Sequence, residues 1–299
     1  MGSQATALAI PQRETVSCRV CSASPCTPYL SARGYSIVRC DGCGLRYVNP
    51  QPSLKELEQL YAAFDQGDQW RIGEEKFNRG VRKVILRFKK GGSALDVGSG
   101  SGNLLRCLRE AGFDVFGVEP SLTGSTYARS VHGVETFHGT VEGFVASGAT
   151  REFDVVSLFN VLEHLKDPAS ILTLLRPRLR SGGILVIVVP DARLHALVGQ
   201  TRRCLGFPDP FWMEWERKPL VGFDPPLHLC SFEPRTVSQL VQRCGFEPVY
   251  LRNAPLIFNH DQWKNVAKRV LHVFTESIYW LTFRRLILGY STLLVARKA

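Results

Sequence analysis

The segment SALDVGSGSGNLL, residues 93–105, decides how the chain is interpreted. A short apolar run ends in Asp96, and Gly98, Gly100 and Gly102 follow at every second position. Each glycine in an ordered element costs roughly 0.5–1 kcal/mol relative to alanine, so three of them indicate that the backbone approaches another group closely. A turn of this kind between a strand and a helix predicts a ligand site at the carboxyl edge of a parallel sheet.

Strand and helix patterns alternate around this segment. Apolar runs predict strands at SALDV (93–97), DVFGVE (114–119), VETFHG (134–139), FDVVSLFN (153–160), GGILVIVVP (182–190), FEPVYLRN (246–253) and YSTLLVARK (290–298). The near-continuous apolar run at 182–190 is typical of the centre of a parallel sheet. The alternation predicts an α/β fold, a Rossmann-like seven-stranded sheet with helices on both faces.

Capping residues predict where several helices begin and end. Ser53 and Ser231 are expected N-caps, and Asp167 followed by Pro168 predicts an N-cap with proline at the first helical position. Pro177 is expected to end or kink the helix that starts at Pro168, because proline cannot continue the backbone hydrogen bonding of a helix.

Four cysteines have the spacing of a metal site. Cys18 and Cys21, then Cys40 and Cys43, form the pattern C-x2-C-x18-C-x2-C. Two tight turns of this kind supply four thiolates in a tetrahedral shell, which suits a structural Zn²⁺ with no open coordination position. Two disulfides are the alternative, and no secretion signal supports them. Whether Cys26 takes part stays open.

Composition and length bound the remaining possibilities. The chain has 299 residues, 44% of them hydrophobic, and a net charge of +10. No apolar run is long enough for a membrane span, and no signal peptide is recognised, so we expect a cytoplasmic protein. The expected organisation is a disordered leader at 1–15, a zinc ribbon at 16–50 and an α/β domain at 51–299.

Two segments interrupt the alternation. Residues 191–230 are rich in proline and aromatic residues and are expected to form a packed lid. Residues 254–289 are basic and predict amphipathic helices, with apolar residues at helical spacing. These apolar residues are Trp263, Val266, Val270, Leu271, Phe274, Ile278, Leu281 and Leu286. The second insertion either packs internally or in a homodimer, or lies at the inner face of a membrane near a lipid-linked substrate.

Two acidic residues indicate which ligand the glycine turn receives. Asp96 stands before the first glycine, where it would repel a pyrophosphate but bind an ammonium group. Glu119 ends the next strand, 21 residues after Gly98, a position from which a carboxylate hydrogen-bonds a ribose diol. A ribose, an amino-acid end and no phosphate together describe S-adenosylmethionine.

Several motifs resemble class I S-adenosylmethionine-dependent methyltransferases. The similar segments are LDVGSGSG (95–102), FGVEP (116–120), FDVVSLFNVLEHLKDP (153–168) and LRSGGILVIVVP (179–190). The cysteine segment and PPLHLCSFEPRTVSQLVQRCGF (225–246) resemble a bacterial subset that acts on sugars, lipids and other small metabolites. The resemblance implies methyl transfer, with the cofactor held by the loop at Asp96, Gly98, Gly100 and Gly102.

The resemblance also implies roles for residues beyond this loop. Glu119 would bind the ribose, Val141 and Glu142 would flank the adenine, and Asn160 and Leu162 would line the sulfonium side of the pocket.

Methyl transfer often needs a base for the proton of the acceptor, and histidine is the natural base near neutral pH. His228 in PLHLCSF is the candidate, with a loop-capping histidine as its alternative. Glu163 and His164 are interpreted as architectural residues at a helix start.

The expected partner is a small-molecule acceptor such as a sugar, a quinone-like phenol or a lipid-linked compound. Two other functions stay open: an RNA methyltransferase that uses the ribbon for RNA recognition, and a non-catalytic binding module. Nucleic acid is disfavoured because the ribbon lacks interleaved basic and aromatic residues.

Overall fold

The structure, a computed structural model, describes residues 13–64, 74–148, 150–191, 193, 225–256, 262–282 and 286–299. Its strands are β1 (Cys26–Ala32), β2 (Tyr35–Cys40), β3 (Arg46–Val48), β4 (Gly92–Val97), β5 (Phe113–Glu119), β6 (Thr136–His138), β7 (Phe153–Phe159), β8 (Leu179–Pro190), β9 (Cys230–Ser231), β10 (Phe246–Asn253) and β11 (Ser291–Lys298). Its helices are α1 (Leu54–Phe64), α2 (Glu74–Phe88), α3 (Asn103–Arg109), α4 (Leu122–His132), α5 (Val141–Ala146), α6 (Pro168–Leu175), α7 (Pro234–Arg243) and α8 (Gln262–Leu281).

Seven strands form the main sheet, in the order β10-β11-β8-β7-β4-β5-β6. The pairs β8–β7, β7–β4, β4–β5 and β5–β6 are parallel, whereas β11 is antiparallel to both of its neighbours. The α/β fold with a seven-stranded sheet is therefore confirmed. The antiparallel β11 adds a reversal that the strand–helix alternation did not indicate.

Helices cover both faces of this sheet. On one face, α2 and α3 pack against alternate strand residues such as Ala94 and Val186. On the other face, α5, α6, α7 and the cysteine segment pack against the intervening residues, such as Leu95 and Ile187. Because side chains of a strand alternate between faces, the apolar run at 184–189 contributes to both cores.

The predicted helix boundaries hold at three places and fail at one. The Ser53 hydroxyl accepts the Glu56 N–H at 3.1 Å, and the Asp167 carboxylate accepts the Ser170 N–H at 3.1 Å. α6 ends at Leu175, two residues before Pro177. The prediction for Ser231 was wrong, because Ser231 lies in β9 and Glu233 caps α7.

The cysteine segment forms a second sheet with strand order β1-β2-β3-β9. Its fourth strand comes from residues that follow the lid segment, nearly two hundred positions along the chain from β3. The ribbon therefore does not stand apart from the α/β domain, since one hydrophobic core contains Cys18, Tyr47 and Val237. The ribbon includes residues before its expected first residue, 16, because Glu14 and Gln51 exchange two backbone hydrogen bonds.

Most of the predicted lid, residues 192 and 194–224, lies outside the described residues. Within the second insertion, the described part contains the 20-residue helix α8. None of the helices in the described ranges is long and apolar enough to cross a membrane.

Candidate active site and metal centre

The glycine loop follows β4 and leads into α3. Gly98 and Gly102 have φ of +68° and +77°, a region that side chains other than glycine rarely adopt. A Cβ on Gly98 would lie 2.5 Å from Cγ2 of Val161, so this position also lacks room for a side chain. Gly100 differs, because among the described residues nothing lies within 4 Å of a Cβ built there. The loop therefore leaves open space at Gly100.

Glu119 is fixed beside this open space by backbone donors. The Gly100 N–H donates to Oε2 at 2.6 Å and the Ser121 N–H donates to Oε1 at 2.8 Å. The predicted acid and the predicted loop thus lie in direct contact at the carboxyl edge of the sheet. Binding of a ribose by Glu119 stays a prediction.

Asp96 is buried near the carboxyl end of β4, where it is in register with Gly117 of β5 and Ser157 of β7. Its Oδ1 accepts a hydrogen bond from the Ser157 hydroxyl at 2.6 Å. This bond fixes the orientation of the carboxylate at the carboxyl edge of the sheet, where the sequence predicts that it meets an ammonium group.

Val141 and Glu142 begin α5, which follows β6 and is capped by the Thr140 hydroxyl. Val141 is buried, and Glu142 is exposed. β6, which precedes α5, is a neighbour of β5, the strand that carries Glu119. Among the described residues no contact joins Glu142 to Glu119, so the contact of Val141 and Glu142 with adenine stays a prediction.

Asn160 and Leu162 follow the carboxyl end of β7. Asn160 has φ of +53°, and its N–H donates to the Val188 carbonyl at 2.9 Å. Residues held in this region of φ cluster at functional sites. The positive φ of Asn160 could not be predicted from the sequence. Leu162 is fully buried in the core, so its side chain anchors the turn while Val161 packs on Gly98.

Glu163, His164 and His228 converge at the end of this turn. The rings of His164 and His228 meet edge to face, with centroids 4.7 Å apart. Nδ1 of His164 lies 2.9 Å from the Leu227 carbonyl, and because a carbonyl only accepts, Nδ1 carries the proton. Nε2 of His164 lies 3.9 Å from Oε1 of Glu163.

Glu163 is only 1% exposed, and within the described part of the chain neither of its carboxylate oxygens has a hydrogen-bond partner. Burial raises the pKa of Glu163 to about 8 because the charged form loses its hydration. Sequence reasoning treated this residue and His164 as architectural and missed their approach to His228, which lies 64 positions after His164. A charged residue between apolar neighbours in NVLEHL was the available signal.

The same three side chains have the composition of a metal site. One ligand atom from each lies within 4.8 Å of the other two, which gives two imidazoles and one carboxylate. Such a set accepts divalent transition metals and leaves open coordination positions.

The four cysteines form a second group of this kind. Their sulfur atoms all lie within 4.8 Å of one another, with Sγ–Sγ distances of 3.5 Å for Cys18–Cys43 and 3.4 Å for Cys21–Cys40. Four sulfurs each about 2.3 Å from one Zn²⁺ would lie about 3.8 Å apart, so the cluster fits this ion. Cys26 is not part of the cluster.

Comparisons with known proteins agree with this geometry. The family model described as a methyltransferase domain matches residues 70–251, which is more than half of the chain. The chain is a class I S-adenosylmethionine-dependent methyltransferase.

The relatives and solved structures are more distant. The chain is 34% identical over 143 residues to a ubiquinone biosynthesis O-methyltransferase of Psychrobacter cryohalolentis, covering 42% of this chain and 55% of the relative. A relative of the same name from Cereibacter sphaeroides is 27% identical over 238 residues, covering 76% and 87%. The chain thus spans about half the length of the first of these relatives.

Among solved structures, the fold resembles the 1,6-didemethyltoxoflavin-N1-methyltransferase of Burkholderia thailandensis, with a TM-score of 0.54 and 15% identity. That similarity covers 91% of this chain and 99% of the other. At this identity it supports the fold of the methyltransferase and not its acceptor.

The family model matches only part of this methyltransferase. The matched part includes β4–β9, the glycine loop and the Glu163, His164 and His228 group. The cysteine cluster and α8 lie outside the matched residues, so their roles have to be argued from their own contacts.

Proposed function

We propose that this methyltransferase transfers a methyl group to the hydroxyl of a small quinone-like phenol, and that His228 is the general base. The convergence of Glu163, His164 and His228 beside the glycine loop carries the proposal. Val161, two residues before Glu163, packs on Gly98, so the turn that carries Glu163 and His164 begins at the glycine loop. The relatives are named as O-methyltransferases of ubiquinone biosynthesis, which supports oxygen as the methylated atom.

Binding and orientation are assigned to the cofactor-side residues. Asp96 would hold the ammonium of S-adenosylmethionine, Glu119 would accept hydrogen bonds from its ribose, and Val141 and Glu142 would flank the adenine. When bound, the cofactor supplies an electrophilic methyl group on sulfur. The glycine loop allows the backbone to approach it at Gly100, where the described residues leave space.

Proton removal is assigned to His228. His228 would take the hydroxyl proton of the acceptor as its oxygen receives the methyl group, and S-adenosylhomocysteine would be the leaving product. The edge-to-face contact with His164 fixes the ring plane of His228, and the Leu227 carbonyl fixes the tautomer of His164. Alignment of this kind accounts for a large part of the rate enhancement in bimolecular displacement.

A second way to activate the acceptor is favoured by the unpartnered carboxylate of Glu163. Glu163, His164 and His228 would hold a divalent cation that binds the acceptor oxygen and lowers its pKa. Both versions use the same three residues, and they differ in whether a metal is required.

The turnover of a catechol probe with radiolabelled cofactor distinguishes the mechanism with His228 as base from the mechanism with a bound cation. His228→Ala should lower kcat by at least about a hundredfold. Its affinity for S-adenosylhomocysteine should change less than about twofold by calorimetry, since the cofactor side is untouched. His272→Ala, on α8 outside the site, serves as the matched control. Equal kcat in wild type and His228→Ala would refute the base. Activity that is lost with a chelator and restored by Mg²⁺ or Mn²⁺ would establish the cation.

We also propose that the ribbon holds one structural Zn²⁺ through Cys18, Cys21, Cys40 and Cys43. A hydrogen bond with the Cys43 thiol lowers the pKa of the Cys18 thiol, which favours the thiolate form that binds metal. Four thiolates close the coordination shell, so this ion would stabilise the fold and leave no position for substrate.

We further propose that α8 binds an anionic membrane surface. Glu276 anchors the helix to β10 by accepting hydrogen bonds from Arg252 and Asn253. Tyr279, three residues further along α8, is buried. Several large apolar side chains of α8 are exposed: Val266, Val270, Val273, Phe274, Trp280 and Leu281. Of the stripe expected from the sequence, Val266, Val270, Phe274, Leu281 and Leu286 are exposed, whereas Leu271 and Ile278 are half-buried.

Charge favours a lipid occupant over a second copy of the chain. Residues 260–299 carry seven Lys or Arg against Asp261 and Glu276, so two copies of this segment would repel each other. Basic residues beside an anionic surface gain about 1 kcal/mol each. Co-sedimentation with phosphatidylglycerol vesicles at low salt, release at high salt and loss in Phe274→Ser would support this role. A stable dimer that does not bind vesicles would refute it.

A further inference from the structure

One backbone segment links the ribbon to the histidine pair. The Leu229 carbonyl accepts the Val48 N–H of β3 at 2.9 Å, and the Leu229 N–H donates to the Glu163 carbonyl at 2.6 Å. Leu229 is therefore held on one side by the ribbon and on the other by the turn that carries His164. Its neighbour His228 has little freedom to move independently of β3.

Side chains reinforce the same link. β3 pairs with β9 in the register Arg46↔Ser231 and Tyr47↔Cys230. The fully buried Leu229 packs with ribbon residues and α1: Ala32, Tyr35, Ile37, Val48 and Leu57. Apolar contacts of this density leave little room for an alternative position of residues 227–231.

An ion pair also connects β3 to the residues that follow β9. The guanidinium of Arg46, whose side chain is 7% exposed, donates to Oε1 of Glu233 at 2.7 Å. Glu233 is the N-cap of α7 and forms a capping box with Thr236. Arg46 thus ties β3 to the start of the helix that follows the histidine segment.

The cysteine cluster lies directly before this strand. Cys43 precedes β3 by three positions, and the Cys40 N–H donates to the Leu45 carbonyl at 2.9 Å. Since Tyr47 and Cys230 share one core with Cys18, Cys40 and Cys43, the conformation of the cluster and the placement of β3 depend on each other.

We infer that the ribbon is a positioning element for the acceptor side: β3, through Leu229 and the Arg46–Glu233 pair, holds His228 and His164 in their mutual geometry. The inference rests on the proposed function, because it gives His228 its role in proton removal. Arg46 is a positioning residue and not a catalytic one, since it contacts Glu233 and reaches the histidines only through the backbone.

The test uses Arg46→Met in the full-length chain, with three readouts that need no acceptor. Hydrogen exchange at the Leu229 amide should accelerate by at least about tenfold, because the segment loses an anchor. The ¹⁵N imidazole signals of His164, assigned with His164→Gln, should move away from the Nδ1-protonated pattern. Affinity for S-adenosylhomocysteine should change by less than about twofold, since the glycine loop is not part of the link.

Matched variants separate positioning from general destabilisation. Arg243→Met removes hydrogen bonds to the Cys21 carbonyl and to Ser22, at the other end of α7, and should leave the histidine signals unchanged. Arg46→Lys should restore most of the wild-type pattern. If Arg46→Met does not fold, Glu233→Gln tests the same pair from the other side and keeps an acceptor for the helix cap.

Unchanged histidine signals and Leu229 exchange in both Arg46→Met and Glu233→Gln would overturn the inference. Failure of the proposed function has a different signature, because His228→Ala would then retain wild-type turnover while the Arg46 variants still disturb the histidine signals.

Discussion

The proposed cofactor side and the proposed acceptor side of this methyltransferase are built from residues separated by different distances along the chain. On the cofactor side, Gly100 and Glu119 are 19 positions apart and meet because consecutive parallel strands end at the same edge. On the acceptor side, His164 meets the Leu227 carbonyl across 63 positions, and Arg46 meets Glu233 across 187.

The geometry of the cofactor side is thus local in sequence, whereas the geometry of the acceptor side is assembled from distant segments. The cofactor side depends on backbone conformations that glycines encode directly. The acceptor side exists only once the ribbon, the β7 turn and β9 have come together, so it should be more sensitive to changes far from the chemistry.

The largest effect is expected from Cys43→Ser. Loss of one thiolate should reduce bound zinc from about one per chain to a substoichiometric amount. Because binding of a structural zinc contributes directly to folding, the melting temperature should fall by roughly 10 °C or more. Metal analysis and thermal unfolding measure both effects.

Cys26→Ser is the matched control for this change, since Cys26 lies in the same sheet but outside the cluster. A Cys43→Ser protein with full zinc content and unchanged melting would show that the four sulfurs do not hold the metal.

The next effect concerns the buried carboxyl of the acceptor side. Glu163 has a folded pKa raised by burial from 4.5 to about 8, so between these values the folded state holds a proton that the unfolded chain has released. Stability therefore falls as pH rises through this window, by on the order of 5 kcal/mol in total. Glu163→Gln removes this dependence.

Denaturant unfolding from pH 5 to pH 9, without added divalent cations, measures the difference between the two proteins. The variant should gain on wild type as pH rises and be the more stable one above about pH 8. A constant difference across this range would mean that Glu163 is already charged in the folded protein, as a bound cation would require.

The third effect tests the cofactor side. Glu119→Ala leaves the Gly100 and Ser121 N–H groups without their acceptor and removes the predicted partner of the ribose. We expect affinity for S-adenosylhomocysteine to fall by at least about a hundredfold, about 2.7 kcal/mol. Titration calorimetry measures it, with Glu135→Ala as the control because the Glu135 side chain is 73% exposed. Wild-type affinity in Glu119→Ala would remove this residue from the pocket.

The same contrast explains what the sequence could predict. The strand–helix alternation predicted the sheet, and the spacing from Gly98 to Glu119 predicted that both lie at the carboxyl edge, because these features depend on short segments. The pairing of β9 with β3 could not be predicted, since a two-residue strand has no periodicity. The burial of Glu163 could not be predicted either, because it depends on elements that are distant in sequence.

The smallest effects separate two glycines of one loop. Gly98 and Gly100 both have positive φ, of +68° and +52°. A methyl group at Gly98 would collide with Val161, whereas one at Gly100 would enter open space. Gly98→Ala should therefore destabilise the fold by about 2–3 kcal/mol through strain and overpacking.

Gly100→Ala should cost only about 1 kcal/mol of stability, the price of alanine in the left-handed region. If the open space at Gly100 receives the cofactor, the same methyl group should lower the affinity for S-adenosylhomocysteine by about tenfold or more, because it narrows the approach to the backbone. Chemical unfolding and calorimetry on the two variants would show these separate effects. Equal loss of stability in both, with cofactor affinity retained in Gly100→Ala, would mean that the cofactor does not approach the loop at this residue.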